Sequence, residues 1–241
     1  LTGQGVASVP TKAYDGNGPG ISTIGSSGTY TSLADAAQAI NNATLTGGDW
    51  TFLVLEDLTE PAAITFTPKS EGHELIIRPA PGTEPVITIT DTSTSLEASL
   101  TVEGISGEET GHLVIDGCNV PGGRERNMTI RNASSAESPD LIYVKGPLLS
   151  PQFRNLELLC MNTQYGSSGN TWLVFAITGE ETGDFSSFTE YPAPVLIENC
   201  FLSSNRGDNT GIMGIGSDYL TTQPVDGATI EVRDCEMVAS S

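Results

Sequence analysis

Three runs of this chain place a charged side chain two residues ahead of a cysteine: Leu113-Val114-Ile115-Asp116-Gly117-Cys118, Leu196-Ile197-Glu198-Asn199-Cys200 and Ile230-Glu231-Val232-Arg233-Asp234-Cys235. Ile130-Arg131-Asn132-Ala133 is a related run without the cysteine. Carboxylates in such a series could hold Ca²⁺, and the thiols could bind a metal or pair as disulfides. The spacing favours plainer roles. Asp116, Arg131, Glu198, Arg233 and Asp234 alternate with apolar residues, as on a strand whose outward face is solvated. Cys118, Cys160, Cys200 and Cys235 stand 42, 40 and 35 residues apart, without the short pairs of a zinc site or the density of a disulfide scaffold. They read as a stacked column of small interior residues, with a disulfide between neighbours as the alternative.

The remaining signals carry less. His73 and His112 lie far apart, outside any metal-ligand or triad spacing. Arg206-Gly207-Asp208 reads as a polar turn ahead of Asn209-Thr210-Gly211, the integrin-binding tripeptide being the alternative. Asn42-Ala43-Thr44, Asn127-Met128-Thr129 and Asn132-Ala133-Ser134 match the glycosylation acceptor. Trp50 and Trp172 read equally as core or as sugar-stacking platforms. No residue is therefore assigned a catalytic, cofactor-binding or metal-ligating role; Ca²⁺ stays open as the cation an acidic surface attracts.

The elements that would position these residues repeat. Ile105-Ser106-Gly107-Glu108-Glu109-Thr110-Gly111 is written again as Ile177-Thr178-Gly179-Glu180-Glu181-Thr182-Gly183. A recurring strand and turn unit points to a solenoid, in which each coil buries its inner face on its neighbours. From Trp50 the chain falls into short apolar runs, Phe52–Leu55, Ile64–Phe66, Leu75–Ile77 and Val86–Ile89, bounded by Pro or Gly. Gly117, Asn132, Asn199 and Asp234 are of types that tolerate left-handed backbone and mark corners between sheets, Asn132 on a different edge from the others. At 35 to 42 residues per coil, residues 50–241 make about five coils.

One stretch has helical period. Ser32 can cap it, Asp35 can reach back to the cap, and Leu33, Ala36, Ala37 and Ile40 form one apolar stripe, giving a helix over about 32–41. Ahead of it, Leu1–Gly20 is rich in Gly and Pro and reads as an extended arm, residues 1–20, before the solenoid domain over 21–241.

With 37% apolar residues, 27 Gly and 14 Pro in 241 residues, the composition suits an all-β, turn-rich single domain. Ten Lys and Arg against thirty Asp and Glu leave a formal charge of −20, a field that repels phosphate backbones and anionic lipid. Nucleic acid and the membrane surface thus fall away as partners. No apolar run reaches the ~18 residues of a membrane span, and the start at Leu1, without Met or a signal segment, reads as a mature or excised product.

Thr23-Ile24-Gly25, then Tyr30-Thr31-Ser32-Leu33-Ala34-Asp35-Ala36-Ala37-Gln38-Ala39-Ile40, then a strand and a break at Glu60-Pro61, resembles the opening of the right-handed parallel β-helix proteins of the pectin lyase-like superfamily, and in this opening is similar to pectin methylesterases. The resemblance implies an all-β, right-handed parallel β-helix with a short capping helix across its N-terminal end. The methylesterases' Asp-Phe-Ile-Phe-Gly and Leu-Gly-Arg-Pro-Trp stretches are missing here. Pectate lyases of the superfamily set Ca²⁺-binding aspartates beside a catalytic arginine, for which Asp116, Arg131, Glu198, Arg233 and Asp234 are the nearest counterparts. Enzymes, adhesins and structural proteins all use the scaffold. The expectation is an extracellular or cell-surface, non-catalytic β-solenoid that self-associates end to end as a homo-oligomer or homopolymer. The alternative is a polysaccharide-active lyase or esterase, which would make a polysaccharide its partner.

Overall fold

The computed structural model describes residues 11–90, 98–133, 140–161, 174–178, 180–181, 188–189, 192, 194–204, 212–215 and 229–239. Most of its short strands form three parallel sheets, each built from one strand per coil; Thr44–Leu45 pairs with Lys69–Ser70 in parallel, and Glu180–Glu181 with Phe188–Thr189 antiparallel. The first sheet holds Gly20–Ile24, Trp50–Val54, Leu75–Pro79, Leu113–Asp116, Gln152–Arg154, Val195–Glu198 and Ile230–Arg233, stacked in that order. The second holds Leu58–Glu60, Val86–Ile89, Met128–Asn132, Leu156–Cys160, Phe201–Ser204 and Glu236–Ala239, and the third Ile64–Phe66, Leu100–Glu103, Ile142–Lys145, Phe175–Thr178 and Met213–Ile215. The chain visits the sheets in rotation, so five complete coils and part of a sixth make a parallel β-helix. The expected fold and coil number are both found.

Strand alternation builds the core. Phe52, Ile77, Ile115, Phe153 and Ile197 are in register through five coils of the first sheet, and all are buried. Ile87, Ile130, Leu158 and Leu202 form the matching column of the second sheet. Phe153 and Phe175 meet edge to face across the interior, with ring centroids 4.9 Å apart. Stacking apolar residues on like residues removes each inner face from water without any closing layer.

The Gly-Glu-Glu-Thr-Gly repeat is not the structural repeat. Ile177 lies in a strand of the third sheet and pairs through Val144 with Val102, whereas Ile105 stands three residues past Val102 in an exposed turn. The runs ending in Cys200 and Cys235 do coincide, Ile197 lying opposite Val232 and Glu198 opposite Arg233.

The helix spans Leu33–Asn42 and buries Leu33, Ala36, Ala37 and Ile40 against the first coil. Ser32 Oγ accepts from the Asp35 amide at 3.0 Å, and the Asp35 carboxylate accepts the Thr31 hydroxyl at 2.6 Å. Hydrogen bonds from Thr31 and Ser32 hold Asp35 below the ordinary carboxylate range. Glu60, buried, accepts from the Leu33 amide at 2.6 Å and so meets the positive end of the helix. At the other end Asn41 bridges to the third sheet, donating to Thr65 O at 2.8 Å and accepting from the Thr67 amide at 2.7 Å.

Residues 11–20 lie on this chain's own first coil. The Tyr14 ring packs on Trp50 at 5.0 Å and on Phe52 at 5.6 Å, and burial drives its phenol pKa well above the ordinary value. The Lys12 amide donates to Ile21 O at 2.9 Å. Trp50 is fully buried and is a core residue; Trp172 and residues 1–10 fall outside the described residues.

Candidate functional site

The polar residues with chemical potential meet at the corner where the chain passes from the first sheet to the second. Asn155, Asn199 and Asp234 each adopt positive φ there, at 56°, 52° and 52°, and bend the chain into the next sheet within one residue. Asn and Asp accept this left-handed conformation at less cost than other side chains. Gly117 occupies the same level but does not adopt positive φ. Its small size is needed because an added Cβ would lie 1.9 Å from Asn155 O. After Gly117 the chain departs into a loop of residues 118–127 instead of turning at once. Asn132 is not a corner of this kind: it ends a strand of the second sheet, is buried, lies in register with Cys160, and accepts from the Met161 amide at 2.7 Å.

The corner side chains form a ladder. Asn199 Nδ2 donates to Asn155 Oδ1 at 2.8 Å, and Asn155 Nδ2 donates to Asp116 Oδ1 at 2.7 Å. Asp116 also accepts from the Cys118 amide at 3.0 Å. Beside the ladder, Asp116, Arg154, Glu198 and Arg233 stand in register with alternating charge. Arg78, one position past the Ile77 and Ile115 pair, extends the alternation and donates to Cys118 O at 2.6 Å. Opposite charges on adjacent rungs attract, whereas like charges would repel along the stack.

The 118–127 loop clasps the ladder. Asn199 Nδ2 donates to Arg124 O at 2.7 Å, and Arg126 Nε donates to Asn199 O at 2.9 Å. Arg126 reaches Glu236 at 3.1 Å, and Arg124 reaches Asp234 at 2.6 Å and Glu198 at 3.9 Å. The loop of the third coil is thereby fastened to the fifth and sixth. Arg126 is largely buried and orders the corner, while the exposed Arg124 and Asp234 pair contributes little in water.

The cysteine column is shorter than its spacing suggested. Cys118, Cys200 and Cys235 each follow a residue at the corner level, but the corresponding place in the fourth coil belongs to Leu156, after Asn155. Cys160 lies at the far end of the second sheet, between Asn132 and Ser204. It leaves the column because the fourth coil turns at Asn155, five residues before the cysteine used to locate the corner. No disulfide joins the four cysteines, of which Cys118, Cys160 and Cys200 are buried and Cys235 half-buried. Cys235 Sγ accepts from the Cys200 amide at 3.4 Å. The neighbouring Cys235 and burial drive the Cys200 thiol pKa far up, while the Cys200 side chain and amide and the Arg126 guanidinium bring Cys235 down to about 6.

Of the charged candidates, the structure gathers Asp116, Glu198, Arg233 and Asp234 and separates Arg131, which lies on the second sheet and donates to Thr88 Oγ1 at 2.9 Å. Asp116 is no solvated face residue: it is 5% exposed, with both Cys118 and Asn155 donating to it. The reason is the clasping loop, which the strand pattern did not foretell. Asn155, Arg154, Arg124, Arg126 and Glu60 were missed by the sequence reading. Phe153-Arg154-Asn155 does share the apolar, charged, Asn order of Ile197-Glu198-Asn199, a signal available without the cysteine. The described residues hold no group of three or more His, Cys, Asp or Glu arranged for a metal. No described helix is long and apolar enough to cross a membrane, and Arg206-Gly207-Asp208 lies outside the described residues.

No model of a known protein family matches the chain, and no curated protein matches it. Among solved structures, the chain is similar to a pectin methylesterase from Aspergillus niger, in a largely deglycosylated form, at 15% identity and a TM-score of 0.28, with 96% of this chain and 88% of that chain covered.

Proposed function

We propose that this protein is an extracellular or cell-surface, non-catalytic structural β-solenoid whose subunits associate end to end. The carrying observation is the difference between the two ends of the described stack. At one end the helix, Tyr14 and Tyr30 cover the first coil. At the other, the last described rungs are less covered: Val232 is 38% exposed where its in-register neighbour Ile197 is 0%, and Met237 is 47% exposed where Leu202 is 0%.

The last strands, Ile230–Arg233 and Glu236–Ala239, also present backbone groups that no described strand pairs. Such an edge invites another strand, and burying a Val or Met side chain fully is worth about 1.5–3 kcal/mol. A second copy of the chain supplies the strand. Residues 1–10 include Gly5-Val6-Ala7-Ser8-Val9, a short alternating run that suits edge addition before Pro10 stops it. A contact between unlike ends does not close on itself and propagates into a filament, and the net charge of −20 opposes lateral bundling.

The corner supports a structural reading of the charged residues, since their acceptors and donors are engaged with each other across coils. Electron microscopy of the purified protein, beside a turnover screen on acidic and neutral polysaccharides, tests the proposal. Linear assemblies without turnover are expected. Dispersed monomers at high concentration, or sugar cleavage abolished by Arg233→Ala, would overturn it.

A further inference from the structure

Cys200 and Cys235 are stacked on adjacent coils: Glu198 pairs with Arg233 just before them and Phe201 with Glu236 just after. Parallel rungs hold α-carbons about 4.8 Å apart, within the span a disulfide bridges. Stacked side chains on regular strands point the same way and do not meet. These two follow the left-handed corners at Asn199 and Asp234, where the backbone leaves strand geometry. There Cys235 Sγ turns back to the Cys200 amide, 3.4 Å away, while the Cys200 thiol lies 3.3 Å from Glu198 O and 3.5 Å from Phe153 O.

We propose that Cys200 and Cys235 form a thiol-exchange site for a low-molecular-weight disulfide, which closes them into a bond stapling the sixth coil to the fifth. Cys235 is the attacking group because it is half-buried, whereas Cys200 is fully buried. Its thiolate is favoured by the neighbouring Cys200 side chain and amide and by the Arg126 guanidinium, which bring its pKa down to about 6. It attacks one sulfur of the small disulfide, forming a mixed disulfide and releasing one thiolate. Cys200 then attacks the Cys235 sulfur, breaking the mixed disulfide and passing its proton to the departing thiolate, which leaves as the second small thiol. Two protein thiols are oxidised, and one small disulfide is reduced to two thiols. Cys118 and Cys160 take no part: Leu156 stands between Cys118 and Cys200, and Cys160 lies at the other end of the second sheet.

The proposal does not depend on end-to-end association. Dilute full-length protein is incubated with oxidised glutathione, alkylated, unfolded and mapped by peptide mass. The expected result is a Cys200 to Cys235 disulfide with loss of two of the four thiols, Cys118 and Cys160 being alkylated. In Cys200→Ser the expected product is a glutathione adduct that persists on Cys235. A wild-type protein that keeps all four thiols, or holds the adduct on Cys235 without resolving it, would overturn the proposal whatever the variant does.

Discussion

Asn155 donates its side-chain amide to Asp116 on the coil before it and accepts one from Asn199 on the coil after it, at 2.7 and 2.8 Å. The same residue turns the backbone from the first sheet into the second with φ at 56°. One side chain thus sets the corner and joins three coils.

Replacing Asn155 by Ala removes both bonds and sets a residue disfavoured in left-handed backbone at the turn. Each hydrogen bond is worth about 1 kcal/mol and the left-handed conformation about 1–2 kcal/mol. We expect Asn155→Ala to cost about 3 kcal/mol in denaturant unfolding. Asn155→Gly, which restores the conformation but not the bonds, should cost visibly less. Equal losses would show that the turn conformation contributes nothing.

Asp116 stands in the strand register of Arg233 and Asp234 at the corner just after it, and their surroundings differ. Asp116→Ala strips a buried acceptor from the Asn155 and Cys118 donors and should cost about 1–3 kcal/mol. Asp234→Asn keeps a residue that tolerates the left-handed corner and removes only one exposed ion-pair charge, so it should change stability by no more than ~0.5 kcal/mol. Unfolding curves for the two variants check the ranking, and the reverse order would refute the description of the clasping loop.

The capping helix supplies a pH signature. Asp35 is held below its ordinary range when folded, so its contribution is present above the unfolded carboxylate value near ~3.9 and is lost as pH falls through the lower folded value. The melting-temperature difference between wild type and Asp35→Asn should therefore be full at pH 6 and shrink as pH falls below 4. A difference that stays constant to pH 2 would show that Asp35 contributes no charge-dependent term.

The coil order was legible because period-two apolar runs bounded by Pro and Gly report buried strands directly, and the Ser32 helix because cap and stripe coincide. The Gly-Glu-Glu-Thr-Gly repeat pointed to the right architecture from segments that are out of register. Cys160 was drawn into the wrong column because spacing was measured from cysteines, while the turn depends on Asn155. Arg124 and Arg126 were invisible in Gly122-Gly123-Arg124-Glu125-Arg126 because a loop's partners lie far along the chain, here at Asn199, Asp234 and Glu236. Glu60 looked like strand punctuation; its bond to the Leu33 amide exists only once the helix lies across the coil.

Sedimentation velocity over a concentration series, on wild type beside Val232→Asp and Met237→Asp, tests the central claim most directly. Both side chains are already partly exposed, so the variants should keep the circular dichroism spectrum of the wild type. The account predicts that the wild type sediments as progressively larger species as concentration rises, and that either aspartate leaves a folded monomer at every concentration. A wild type that stays monomeric throughout, or variants that assemble as readily as it does, would contradict end-to-end association through the exposed coil.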